Sequence, residues 1–254
     1  MTAKERMKLR AKPIIQAHRG ASAYAPENTM EAFRMARDMR ADAIELDVHL
    51  TRDGKLVVIH DADISRTSNG HGAVADMSLA ELNQYNFAAG FAEQYSSTRV
   101  HIPTLEEVYD LVRGTGMLVN VELKGGGEDM VHLVAEHETK CHMEGLVIYS
   151  SFNHDWLDLM CTIIPDAYVA PLYVTGIEHP WEYARLHRAS ALHPRYETVY
   201  EDPEYISKCH ENGIQVNVWT VDSTEEMKRL DALDVDSLIT NRPDIALQAL
   251  KKHV

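Results

Sequence analysis

The 254-residue chain is poor in cysteine, in basic charge and in long apolar runs. Its three cysteines, Cys141, Cys161 and Cys209, are odd in number and show no CxxC spacing. That excludes a disulfide framework and fits reduced thiols in a cytoplasmic protein. Lys and Arg number 25 against 39 Asp and Glu, a net charge of −14. Nucleic-acid binding needs basic surface to displace phosphate counterions, so this balance argues against it. No window approaches the roughly 18 apolar residues of a membrane span, so no stable membrane insertion is expected. The opening MTAKERMKLRAK is basic but leads into no apolar stretch, so it does not read as a secretory signal.

What the chain does have is a foldable composition, 45% hydrophobic and 25% charged. The charge is unevenly placed. Residues 1–12 hold five basic residues and one acid, while the rest holds 20 basic and 38 acidic residues, a balance of −18. Residues 1–13 read as a solvated basic arm, and 14–254 as a single domain. An acidic body of this kind repels phosphates unless a local cation reverses the sign.

Short β-branched runs alternate with segments of helical period, the pattern of βα units around a parallel sheet. The strand-like runs are Pro13–Ala17, Ala43–Leu50, Met117–Leu123, Leu146–Ser150, Ala167–Tyr173, Ser190–His193, Gln215–Thr220 and Ser237–Thr240. Helical stretches cover 28–40, 104–113, 128–140, 153–162, 179–188, 202–212, 223–233 and 242–250. Eight such pairs predict an α/β fold, the TIM (β/α)8 barrel. Leu56–His60, reached through Thr51-Arg52-Asp53-Gly54-Lys55, reads as an antiparallel return arm, because Asp-Gly between apolar runs marks a hairpin. Asn28 with Glu31, Thr104 with Glu107, and Ser223 with Glu226 have the spacing of capping boxes. Residues 61–102 are too long for a βα loop and predict a small insertion after the second strand.

Catalytic residues of such barrels sit at the C-terminal ends of strands. The first strand ends in His18-Arg19-Gly20. The period of two places Glu45, Asp47 and His49 on one face of the second strand. It likewise places Asn120, Glu122 and Lys124 on one face of the next barrel strand. Valine, leucine and isoleucine fill the opposite faces, so the polar set points to the barrel axis. Three inward carboxylates cannot all stay charged without compensation. Either a divalent cation sits on Glu45, Asp47 and Glu122, calcium or magnesium by the all-oxygen ligand set, or Lys124 and Arg19 neutralise them as a salt-bridge network. His18 and His60 can serve as general base and general acid across one scissile bond, with Arg19 and Lys124 gripping an anion. Phosphate ester cleavage needs all of these parts.

Around this centre the reading keeps alternatives. Glu27 pairs with Arg19 or the cation, or compensates a helix N-terminus. His49 is a fourth ligand or a hydrogen-bond partner behind the ligands. Asp61 orients His60 or merely opens the insertion. Residues 66–72 form a lid or an ordinary loop.

Seven segments quoted in order resemble one known family. They are His18-Arg19-Gly20, Pro26-Glu27-Asn28-Thr29, Glu45 through Gly54, Val57-Val58-Ile59-His60-Asp61, Arg66-Thr67-Ser68-Asn69-Gly70, Ile102 through Glu107, and Asn120-Val121-Glu122-Leu123-Lys124. With Val218-Trp219-Thr220-Val221 and Thr240-Asn241-Arg242-Pro243-Asp244, they resemble the glycerophosphodiester phosphodiesterases across about residues 14–250. The resemblance implies a TIM barrel and hydrolysis of a glycerophosphodiester, a small-molecule substrate, to glycerol 3-phosphate and an alcohol. It implies one calcium or magnesium on Glu45, Asp47 and Glu122, with His18 and His60 catalytic. It also implies phosphate contacts at Arg19 and Lys124, and Trp219 lining a glycerol pocket. The attacking group would be water or the substrate's own neighbouring hydroxyl. None of the seven polar positions departs from the pattern.

Two other readings remain. A lysophospholipase D would need an apolar track beside the mouth, which the insertion and the 171–183 loop (Pro171, Leu172, Tyr173, Trp181) could supply. A silent metal or phosphodiester binder would not need the histidines. A metal-dependent amidohydrolase is disfavoured, because the first strand carries His18-Arg19-Gly20 and not His-x-His.

Overall fold

A computed structural model of the chain describes residues 2–9 and 13–251. The barrel strands are β1 (Ile14–His18), β2 (Ala43–Leu50), β4 (Leu118–Gly125), β5 (Val147–Ser151), β6 (Tyr168–Tyr173), β7 (Ala191–Pro194), β8 (Gln215–Val218) and β9 (Ser237–Thr240). All pair in parallel, and β1 bonds both β2 and β9, which closes the barrel. This is the TIM barrel that the alternation predicts. The return arm is β3 (Leu56–Val58), antiparallel to β2. The hairpin turns at Gly54, whose φ of +70° a side chain would disfavour.

The helices are α1 (Ala3–Lys8), α2 (Met30–Asp38), α3 (Leu79–Leu82), α4 (Leu105–Val112), α5 (Gly127–Lys140), α6 (His154–Ile163), α7 (Pro180–Leu186), α8 (Tyr205–Glu211), α9 (Thr224–Ala232) and α10 (Pro243–Ala249). Outward strand residues such as Ile15, Ala17, Ile44, Leu46, Val48, Val119 and Val121 join the apolar faces of the helices in the main core. None of the helices is long and apolar enough to cross a membrane.

Two local expectations are corrected. Thr29, not Asn28, caps α2, its hydroxyl accepting from the Ala32 N–H at 3.3 Å. Asn28 stands in a left-handed conformation with φ +55°, which turns its amide toward β2. Ser223 precedes α9 without a side-chain cap bond, and the Glu226 carboxylate is engaged instead by the Tyr200 hydroxyl. The Thr104–Glu107 capping box forms in full.

The insertion, residues 61–102, builds a small core of its own from Ile64, Val74, Leu82, Phe87, Ala88, Val100 and Ile102, packed against Val57 and Ile59 of the return arm. It is anchored at the C-terminal end of β2, where the Arg52 N–H donates to the Met77 carbonyl at 2.9 Å.

The opening segment departs from the solvated arm that its charge suggests, though residues 10–12 lie outside the described residues. Thr2 and Glu5 form a capping box for α1, and its Ala3 and Met7 are buried. They close the barrel's N-terminal end over Ile14, Ala43, Leu118, Ile148, Tyr168, Ala170 and Ala191. Above this plug the interior is polar. Gln16 Nε2 donates to Ser237 Oγ at 2.9 Å, Asn120 Nδ2 to Gln16 Oε1 at 3.0 Å, and Ser150 Oγ to Asn120 Oδ1 at 2.8 Å. The plug gives Ala3 and Met7 of the basic segment a buried place. Met7→Ala should lower stability by about 2–3 kcal/mol, the usual cost of truncating a buried methionine, measurable by chemical denaturation. A loss under about 0.5 kcal/mol would mean that the helix does not seal the barrel.

Candidate active site

The C-terminal ends of the strands surround a cavity of about 90 Å³ lined by His18, Arg19, Glu45, His60, Asn120, Glu122, Lys124, Ser150, Phe152, Leu172, His193, Trp219, Thr220 and Ile239. Seven of the eight residues singled out from sequence line it directly. The eighth, Asp47, is fully buried behind it, with Arg19 Nε 3.3 Å from its Oδ2 and Lys124 Nζ 3.4 Å from its Oδ1.

The turn after β1 does much of the placing. Arg19 takes φ +56°, so its backbone N–H donates to Glu45 Oε2 at 2.9 Å. Its guanidinium reaches Glu27 Oε1 at 2.9 Å. Gly20 follows with φ +81° against α2, where a Cβ would come within 2.7 Å of Ala32. Asn28 Nδ2 donates to Asp47 Oδ2 at 2.8 Å, which ties this loop to β2.

Carboxylate oxygens of Glu45, Asp47 and Glu122 lie within 4.8 Å of one another. Asp47 Oδ1 and Glu122 Oε1 are buried and accept no hydrogen bond of regular geometry. Lys124 Nζ stands 2.6 Å from Glu122 Oε1, so the salt-bridge reading is partly realised, with two cations serving three acids. Burial opposes the Asp47 charge, but Arg19 and Lys124 outweigh it and hold Asp47 down at about 2. Burial, reinforced by the Asp47 charge, pushes Glu122 up to about 8 and Glu45 well above the ordinary range. An oxygen-only donor set with spare oxygens and surplus acid fits a hard divalent cation.

Each histidine has one nitrogen committed. The Asn241 Nδ2 donates to Asp222 Oδ2 at 2.6 Å, so its Oδ1 must be the acceptor facing His18 Nδ1 at 2.7 Å. His18 therefore carries its proton on Nδ1 and leaves Nε2 for the cavity. Burial, with the neighbouring Arg19 charge, lowers its pKa to about 4. His60 Nδ1 meets Asp61 Oδ1 at 2.6 Å, which again frees Nε2. Asp61 thus orients His60. A bond from Arg66, and then His60 itself, hold Asp61 down at about 2. His49 takes the supporting role and not that of a ligand. Its Nε2 lies 3.1 Å from the His60 carbonyl, and its ring lies against Gly125, where a Cβ would be 2.6 Å from Nδ1.

The far wall is apolar. Trp219 Nε1 donates to the His193 carbonyl at 2.7 Å, and Phe152 stands edge-on to Trp219 at 5.7 Å. Of the four residues expected to form an apolar track, only Leu172 lines the cavity. Pro171 and Tyr173 are buried in β6, Tyr173 against the Tyr205 hydroxyl, and Trp181 lies beneath Lys208 on α7 and α8. Sequence reasoning missed Phe152, His193 and Asn241 as site residues. Asn241 sat inside a quoted motif, so its signal was present; the other two carry none.

A parallel barrel with acids, cations and imidazoles converging at this end is built for hydrolysis of an anionic ester, and the comparisons agree. The glycerophosphoryl diester phosphodiesterase family model matches residues 18–245. The chain belongs to that family and is a phosphodiesterase by class. It is 39% identical over 248 residues to the glycerophosphodiester phosphodiesterase of Caldanaerobacter subterraneus, covering 95% of this chain and 99% of that one. It is 36% identical over 241 residues to the Bacillus altitudinis glycerophosphodiester phosphodiesterase, covering 92% and 96%. An Oleispira antarctica phosphodiesterase, solved in complex with the product sn-glycerol-3-phosphate, superposes with a TM-score of 0.88 at 26% identity, covering 95% and 98%.

The raised carboxyls give a proton signature. Below about pH 8 a cation must displace the Glu122 proton, so affinity should rise with pH from 6 to 8, by up to about tenfold per unit for each proton released. Titration calorimetry in buffers of different ionisation heat should show proton release at pH 7. Affinity independent of pH would contradict the assigned ligands.

Proposed function

We propose that this enzyme hydrolyses glycerophosphodiesters such as glycerophosphocholine or glycerophosphoethanolamine to glycerol 3-phosphate and an alcohol, with calcium or magnesium held by Glu45, Asp47 and Glu122. The observation that carries the reading is that His18, His60, Arg19, Lys124, Glu45 and Glu122 line one small cavity. A bound cation would supply charge neutralisation at the phosphate and lower the pKa of the attacking hydroxyl. Arg19 and Lys124 grip the non-bridging oxygens, whose charge grows as the ester bond breaks. Trp219 and Phe152 offer an apolar wall to the glycerol carbons. His18 is neutral at physiological pH, since its pKa of about 4 lies well below it. Its Nε2 accepts the proton of the attacking hydroxyl. His60, held through Nδ1 by Asp61, delivers a proton from Nε2 to the departing alcohol, as general acid–base pairs require. Three buried free cysteines support the cytoplasm as its compartment.

A coupled assay for glycerol 3-phosphate, with glycerophosphocholine as substrate, tests this. Chelator should abolish release, and calcium or magnesium should restore it. His18→Ala and His60→Ala should each lower kcat by about 10²–10⁴-fold. With p-nitrophenol as leaving group, which needs no proton, the His60→Ala loss should shrink to under about tenfold, while the His18→Ala loss persists. Equal losses on both substrates would overturn the acid and base assignments. Release from lysophosphatidylcholine but not from glycerophosphocholine would overturn the substrate class.

A further inference from the structure

Arg66 lies in the insertion, outside the cavity lining, yet it makes the densest set of charged contacts at the mouth. Its Nη1 and Nη2 grip both oxygens of Glu27 at 2.8 Å, and its Nε donates to Asp61 Oδ2 at 2.5 Å. Glu27 is itself held by Arg19, and the other oxygen of Asp61 holds His60 Nδ1. The result is one continuous chain of charge-assisted bonds: Arg19, Glu27, Arg66, Asp61, His60. None of the residues 61–102 lines the cavity, so this chain is a polar link from the insertion to the catalytic residues.

The physical demand on Arg66 is specific. Asp61 is a short side chain on a loop, and only its Oδ1 faces His60. Unless Oδ2 is engaged, the carboxylate is free to rotate and lose the imidazole. Asp61 and Glu27 also repel one another across the space that Arg66 fills. A guanidinium can bridge two carboxylates in a fixed plane, whereas an ammonium supplies charge without the fork.

Resting on the reading above, we propose that Arg66 is a positioning residue. Braced on Glu27, it locks Asp61 against His60 Nδ1–H and so fixes the ring and the aim of Nε2. The insertion therefore governs proton transfer without touching substrate.

Arg66 is about half exposed, with 47% of its side chain accessible, so Arg66→Gln should fold. With glycerophosphocholine the variant should lose about 10–100-fold in kcat, the usual cost of removing a partner behind a functional side chain, with KM changed less than about threefold. In the His60→Ala background, Arg66→Gln should cost less than about twofold, because there is no imidazole left to position. Arg66→Lys should recover little, since it cannot bridge both acids. Nitrogen NMR of the imidazoles gives a readout independent of turnover. The His60 Nδ1–H should give one hydrogen-bonded signal in the parent protein and be broadened by exchange with solvent in Arg66→Gln, with the His18 signals unchanged.

Equal kcat losses with and without His60 would overturn the proposal, as would an unchanged His60 Nδ1–H signal or full rescue by lysine. If the parent protein released no glycerol 3-phosphate, the functional reading would fail. The Nδ1–H measurement would still decide whether Arg66 holds His60.

Discussion

The structure turns on the cost of placing three carboxyl groups at one end of a barrel interior. Glu45, Asp47 and Glu122 are buried where charge is expensive. Two cations, Arg19 and Lys124, are near enough to settle only Asp47 fully. Burial and the Asp47 charge push the other two upward, Glu122 to about 8 and Glu45 well above the ordinary range. That imbalance suits a divalent cation.

The surrounding construction serves this imbalance. Asn28, released from helix capping by its left-handed backbone, holds Asp47 in place. The left-handed Arg19 turns its backbone N–H to Glu45 and its guanidinium to Glu27. Asn241, oriented by Asp222, sets the His18 tautomer from the end of the neighbouring strand β9, 223 residues away in sequence. His49 steadies the arm that carries His60. His18 and His60 each have a partner behind the ring that orients it, the arrangement expected where geometry must hold within a fraction of an ångström.

Much of this was legible in the chain. Strands declared themselves by β-branched runs, and the period of two put Glu45, Asp47, Glu122 and Lys124 on inward faces. The Asp53-Gly54 turn announced the return arm. Other features were not legible because their cause lies outside the local sequence. Asn28 and Thr29 are both competent caps, and only the pull of Asp47 decides between them. The opening segment reads as solvated from its charge, yet Ala3 and Met7 find an open barrel end to close. Trp181 looked like a wall for the mouth, but the face of its helix points it under Lys208.

The sequence by itself determined the strand count, the inward polar faces and the residue types of the site, because these depend on periodicity and side-chain chemistry. Only the tertiary structure decided which acid keeps its charge, which nitrogen of each histidine is free, and that Arg66 joins the insertion to His60. Most of those outcomes depend on contacts between residues far apart in the chain, such as Asp47 with Lys124, His18 with Asn241 and Arg66 with Glu27, and the tertiary fold sets those distances.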